Sequence, residues 1–126
     1  MISNQDRDFV RRAAKEASKS SERHQVGAVL VKGGRIIAMA PNLTIKSLHF
    51  NPKSYSKHAE TRALIKRKHH QDLDGCVCYV VRLRKEQSYG LAKPCPNCES
   101  ALKEAGISAV FYTTNDPLVP IAYERY

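Results

Sequence analysis

A chain of 126 residues has room for one domain with a real core and too little for two, so residues 1–126 are read as a single domain. No apolar run approaches the ~20 residues of a membrane helix, and the opening MISNQDRDFVRRAAKEASK lacks the apolar centre of a secretory signal, so no membrane partner is expected and the expected compartment is cytoplasmic. Four cysteines then favour reduced thiols or metal ligands over disulfides, and 21 basic against 12 acidic side chains, a formal charge of +9, suit a phosphate-bearing partner without bearing on the fold.

In chain order, Ser3 or Asn4 can cap a first helix in which Phe9, Val10, Ala13, Ala14 and Ala17 recur at spacings of three and four. That apolar stripe needs a sheet to lie on. QVGAVLVKGGRIIAMAPN offers one: two apolar, β-branched runs flank Lys32-Gly33-Gly34-Arg35, and paired glycines accept the positive φ of a tight hairpin turn. Residues 43–57 read as a polar, proline-containing loop. A second helix is expected from about His58, with Ala59, Ala63 and Leu64 on its buried side, and CVCYVV at 76–81 reads as the third strand. Pro96 at a first helical position and Gly106 just past an end bound a third helix carrying Ala101, Leu102 and Ala105. AVFYTT, 109–114, is the fourth strand. The tail 115–126 has two prolines and no clear period, and its conformation stays open. The order α-β-β-α-β-α-β predicts an α/β fold with a mixed sheet, antiparallel in the opening hairpin and parallel where a helix joins two strands.

The chemistry gathers at two short stretches. KHAETRALIKR puts His58 and Glu60 at the head of the second helix, and KPCPNCESALKEAG puts Cys95 and Cys98 at the head of the third. C-x-x-C is the spacing with which two thiolates hold one zinc ion, and a partial positive charge at a helix start suits their negative charge. If both helices start at one edge of the sheet, His58, Cys95 and Cys98 supply three ligands and leave a fourth position to water, whose proton zinc makes easier to lose. Glu60 is not needed as a ligand and is placed to move protons. Two rivals stand beside this. Cys76, Cys78, Cys95 and Cys98 can be written as a closed four-thiolate site, though Cys76 and Cys78 also read as two small apolar side chains on one sheet face. His-x-Glu can be an accident of a charged helix start, and only its partnership with the cysteines lifts it.

HAE followed by PCPNC resembles the zinc-dependent cytidine and deoxycytidylate deaminase superfamily, with its H-x-E…P-C-x-x-C signature. The opening helix, the glycine-turn hairpin ending in Asn42, the helix HAETRALIKR, the strand GCVCYVV and the closing ALKEAGISAVFYTT are similar in order and spacing, over about residues 5–114. The resemblance implies a cytidine-deaminase-like three-layer fold with helices on both faces of the mixed sheet. It implies one zinc per chain on His58, Cys95 and Cys98, Glu60 as the proton carrier, Asn42 on the sugar or base edge and the Ala59 N–H on the base carbonyl. The reaction implied is hydrolytic deamination of a cytosine nucleoside or nucleotide, giving ammonia and the uracil product. Without the resemblance Asn42, following Pro41, is a turn residue.

Where the deoxycytidylate enzymes pass quickly from the third strand to P-C-x-x-C, this chain inserts RLRKEQSYGLAK between Val81 and Pro94. Arg82, Arg84, Lys85, Tyr89 and Lys93 there can grip a phosphate or stack on a base, but a solvated hairpin with ordinary surface charge is the preferred reading. A polynucleotide deaminase acting on cytosine or adenine in single-stranded DNA or RNA is the alternative enzyme, and a zinc-stabilised nucleic-acid-binding module the non-enzyme alternative. The expected partner is a small nucleoside or nucleotide. Single-stranded nucleic acid and self-association stay open.

Overall fold

A computed structural model describes residues 2–21, 23–46, 54–57, 63, 73–86 and 88–126. The first helix, α1 (Asn4–Ser18), starts at Ser3, whose hydroxyl accepts from the Asp6 N–H while the Asp6 carboxylate accepts from the Ser3 N–H, both at 3.0 Å. This reciprocal pair satisfies two amides the helix itself cannot. The hairpin follows as β1 (Gln25–Lys32) and β2 (Arg35–Pro41), turning on Gly33 and Gly34 with φ of 59° and 78°.

Residues 43–57 depart from the expected loop. Their ends pair as a separate antiparallel ribbon, β3 (Leu43–Lys46) with β4 (Ser54–Lys57). Thr44, Ile45 and Tyr55 carry strand propensity, but in stretches too short for a period to show among lysines and serines. The main sheet continues with β5 (Val77–Leu83), β6 (Tyr89–Gly90), β7 (Ala109–Thr113) and β8 (Ile121–Arg125), and the second described helix, α2 (Pro96–Glu104), joins β6 to β7. The sheet order is β2-β1-β5-β7-β8, with β6 folded back on β5. β5 and β7, joined through α2, are parallel as expected, and the other pairings are antiparallel.

The tail, open in sequence, supplies β8. An Asx turn makes the reversal, with the Leu118 N–H on the Asp116 carboxylate at 2.9 Å and the Val119 N–H on the Asp116 carbonyl at 3.1 Å. Pro120 falls just before the strand, where it takes no donor from the ladder.

Strand alternation explains the layers. Ala28, Leu30, Cys78, Val80, Val110 and Tyr112 face one side and pack with Leu102 of α2 and with Ala63. Val29, Val31, Tyr79, Val81 and Phe111 face the other and pack with Val10, Ala13 and Ala17 of α1. The central strands are buried on both faces, which is why they read as unbroken apolar runs. Ala63 is helical and fully buried, as expected of the middle helix, so helices lie on both faces of the sheet. The rest of the expected helix, Ala59 and Leu64 included, lies outside the described residues. Gly27 sets how closely α1 sits: a Cβ there would fall 2.2 Å from the Ala13 carbonyl oxygen and 2.3 Å from the Ala17 nitrogen.

Candidate active site

The cysteine pair is placed by α2. Cys95 is its N-cap, in extended backbone with φ −68° and ψ 164°, and Pro96 occupies the first turn, where its missing N–H costs nothing. The Cys95 carbonyl accepts the first helical bond, from the Glu99 N–H at 2.8 Å, while its side chain does not cap the helix. Cys95 is half-buried and Cys98, one turn on, is buried. At the far end Gly106 turns left-handed, φ 90°, and its N–H returns to the Lys103 carbonyl at 3.1 Å. A Cβ at Gly106 would also sit 2.7 Å from the Asp74 carboxylate.

The approach to Cys95 is tied down strand by strand. Thr113, with no exposed surface, donates its hydroxyl to the Gly90 carbonyl at 2.8 Å and accepts from the Arg82 N–H at 3.1 Å. Its carbonyl takes the Ala92 N–H at 2.9 Å. Lys93 reaches Glu124 of β8 at 3.3 Å, and this carboxylate, bonded to it and charged, raises the Lys93 ammonium above its ordinary range. Tyr112 lies beside the same Glu124; its burial and that carboxylate's charge push the phenol up. A strand invisible in the sequence thus holds the segment that delivers the cysteines.

Asn42 sits at the end of β2, across from the start of β1. Its Oδ1 accepts from the Val26 N–H at 3.0 Å and its Nδ2 donates to the His24 carbonyl at 2.7 Å. The Asn42 N–H in turn donates to the Val26 carbonyl at 2.9 Å. His58, Ala59 and Glu60 lie outside the described residues, so their expected meeting with Cys95 and Cys98 does too. All four cysteines are described, and among the described residues no three histidine, cysteine or acidic side chains gather as a metal-binding group. Cys76 and Cys78 are fully buried in the core beneath α2, in a cluster that does not take in Cys98, which agrees with their reading as two small apolar side chains on one sheet face.

The donor set still fits zinc. Cys95 and Cys98 are soft ligands at C-x-x-C spacing, one turn apart at a helix start where negative charge is favoured.

Residues 3–114 match the family described as the cytidine and deoxycytidylate deaminase zinc-binding region. The chain belongs to this family. Among solved structures it is similar to the dCMP deaminase of cyanophage S-TIM5 in complex with dCMP and dUMP, with TM-score 0.69 and 26% identity over 90% of this chain and 84% of that one. It is 30% identical, with TM-score 0.58, to the Thermotoga maritima diaminohydroxyphosphoribosylaminopyrimidine deaminase/5-amino-6-(5-phosphoribosylamino)uracil reductase, covering 87% of this chain but 29% of that longer one. Cytidine deaminase of Mycobacterium tuberculosis, 20% identical with TM-score 0.56 over 90% of this chain, shares the fold. No curated protein matches the chain in sequence. Within this family fold, the mixed sheet and the helices on its two faces stand as the resemblance implied.

Two residues near the site, Arg23 and His24, drew no notice in the sequence. The Arg82 guanidinium lies 2.9 Å from His24 Nδ1; arginine only donates, so the tautomer that fits carries its hydrogen on Nε2. Of the four cationic positions in the insertion, Arg82, Arg84 and Lys85 lie on this side, and the β1–β5 pairing, Gln25 opposite Leu83 and Val26 opposite Arg82, brings residues 23 and 24 beside them.

Proposed function

We propose that this protein is a zinc-dependent hydrolytic deaminase of a cytosine nucleoside or nucleotide. The family match over residues 3–114 carries the reading, and the likeness to a deaminase solved with dCMP and dUMP favours a nucleotide. Cys95 and Cys98, with His58, would hold the metal, which when bound supplies a water that loses its proton near neutrality. Glu60 accepts that proton and passes it to the ring nitrogen beside the reacting carbon, then takes the remaining proton of the added hydroxyl and gives it to the departing amine, which leaves as ammonia while the carbonyl forms. The Ala59 N–H holds the base carbonyl. Asn42, whose amide already joins Val26 to His24, keeps the substrate edge of the sheet in shape and presents that edge to the sugar. The protein is expected to work in the cytoplasm.

Adenine and polynucleotide substrates are the competing outcomes. Ammonia release from cytosine, cytidine, deoxycytidine, their monophosphates, adenosine and single-stranded oligonucleotides tests the reading: cytosine mononucleosides or mononucleotides should react, and activity confined to adenosine or to oligonucleotides would overturn it.

A further inference from the structure

Beside Asn42 lies an open hollow of about 620 Å³, lined by Arg23, His24, Gln25 and residues 82–86, within the size of ordinary small-molecule sites of about 300–1,000 Å³. Its walls come from two chain segments, the entry to β1 and the end of β5 with the hairpin beyond it. Arg23, Arg82, Arg84 and Lys85 line it together, and among the described lining residues Glu86 is the one carboxylate. Arg84 and Lys85 read in sequence as surface charge on a hairpin tip. The fold gives them company.

The hollow also connects to the substrate edge. Asn42 holds the His24 carbonyl at 2.7 Å while the His24 ring takes the Arg82 guanidinium at 2.9 Å. Arg82 is stiffened by its setting. Its backbone N–H is held by Thr113, and its aliphatic stem crosses the face of Gly90, where a Cβ would meet it at 3.0 Å. From there β6 and residues 91–94 lead directly to Cys95. A planar guanidinium with a fixed stem is suited to a phosphate, and the flanking arginines and Lys85 add charge from the open side.

We propose that this hollow holds the phosphate of a mononucleotide substrate, with Arg23, Arg82, Arg84 and Lys85 as its cationic walls. The assignment rests on the deaminase reading and deepens it: the preferred substrate is a nucleotide rather than a nucleoside. The same phosphate chemistry occurs in a polynucleotide backbone, so the test has an arm for each source.

Binding is measured by calorimetry on the full zinc-loaded chain, with inorganic phosphate, deoxyuridine, deoxyuridine monophosphate and a single-stranded oligonucleotide as probes. The protein is compared with the double variant Arg84→Ala/Lys85→Ala, with circular dichroism as the check on folding, and Arg23→Ala is the second variant. Unmodified protein should bind the monophosphate at least about ten-fold more tightly than the nucleoside, as expected for charge-assisted contacts worth ~1.5 kcal/mol or more. Inorganic phosphate should compete, and the preference should collapse towards unity in both variants. Equal affinity for nucleoside and monophosphate, or a preference that survives both variants, overturns the assignment. An oligonucleotide bound through the same residues, with a salt dependence reporting several phosphates, overturns it in favour of a polynucleotide site. Because binding is read without turnover, phosphate held here by a protein that releases no ammonia sinks the deaminase reading alone. A deaminase indifferent to phosphate sinks this one alone.

Discussion

Asn42 clasps the backbone on either side of Gln25, accepting from the Val26 N–H at 3.0 Å and donating to the His24 carbonyl at 2.7 Å. The residue that the family resemblance assigns to substrate is therefore also a brace between the end of β2 and the entry of β1. Asn42→Ala leaves a donor and an acceptor to be satisfied by water and should cost about 1–2 kcal/mol in urea unfolding. Asn42→Asp keeps the bond from Val26 and loses the donation to His24, so it should recover part of that stability. If Asn42 also touches substrate, both variants should raise KM beyond what their stability loss explains.

Thr113 of β7 ties together β5 and β6, the two strands ahead of the cysteines. Thr113→Val preserves its shape and removes the bonds to Gly90 and Arg82, so it should destabilise by about 1–3 kcal/mol. Because β6 leads to Cys95, zinc affinity should weaken with it. Unchanged stability by thermal or urea unfolding would show that water replaces the hydroxyl.

Tyr79 donates to the Asp6 carboxylate at 2.6 Å. Burial alone would raise the Asp6 carboxyl, but the bonds from Tyr79 and Ser3 outweigh it and leave the group below the usual carboxylate range. A depressed folded pKa stabilises fully above the unfolded value of about 4 and less as pH falls through the folded one. Tyr79→Phe should thus cost about 1–2 kcal/mol at neutral pH, as for a bond to a charged group on a half-exposed partner. The cost should shrink in strong acid. Because phenylalanine keeps the ring contacts with Phe9 and Phe111, a penalty independent of pH would show that the hydroxyl does not act through the Asp6 charge.

Gly27 is required by contact. Gly27→Ala drives a methyl group into the α1 backbone at Ala13 and Ala17, and should cost about 3 kcal/mol or more because backbone, unlike a side-chain tip, cannot swing aside. Near-normal unfolding would mean α1 can lift from β1.

Much of this was legible from local chemistry. Gly33-Gly34 announced the hairpin because only glycine takes two successive positive φ angles freely, Ser3 announced α1, and Pro96 with Gly106 bounded α2. β8 was hidden because its strand character depends on pairing with β7 rather than on any period of its own. The ribbon of β3 and β4 was hidden for the same reason. His58, Glu60, Cys95 and Cys98 stood out because metal chemistry restricts which residues can stand at that spacing, whereas the Asn42–His24 clasp and the basic hollow arise from strand neighbours far apart in sequence. Arg23 had no signal beyond its charge.

On the proposed mechanism, metal binding and proton transfer are separable at Glu60. The most direct measurement is zinc content and ammonia release from deoxycytidine monophosphate, made side by side on the unmodified chain, on Glu60→Ala and on Cys95→Ala. The unmodified chain should hold one zinc and release ammonia in step with the uracil product. Glu60→Ala should keep the zinc and lose about 100-fold or more of the rate, the usual scale for a positioned acid–base group, and Cys95→Ala should lose the zinc, and much of the fold with it. Full zinc in Cys95→Ala, or undiminished ammonia release in Glu60→Ala, would contradict the assignment of a zinc-dependent deaminase centre to these residues.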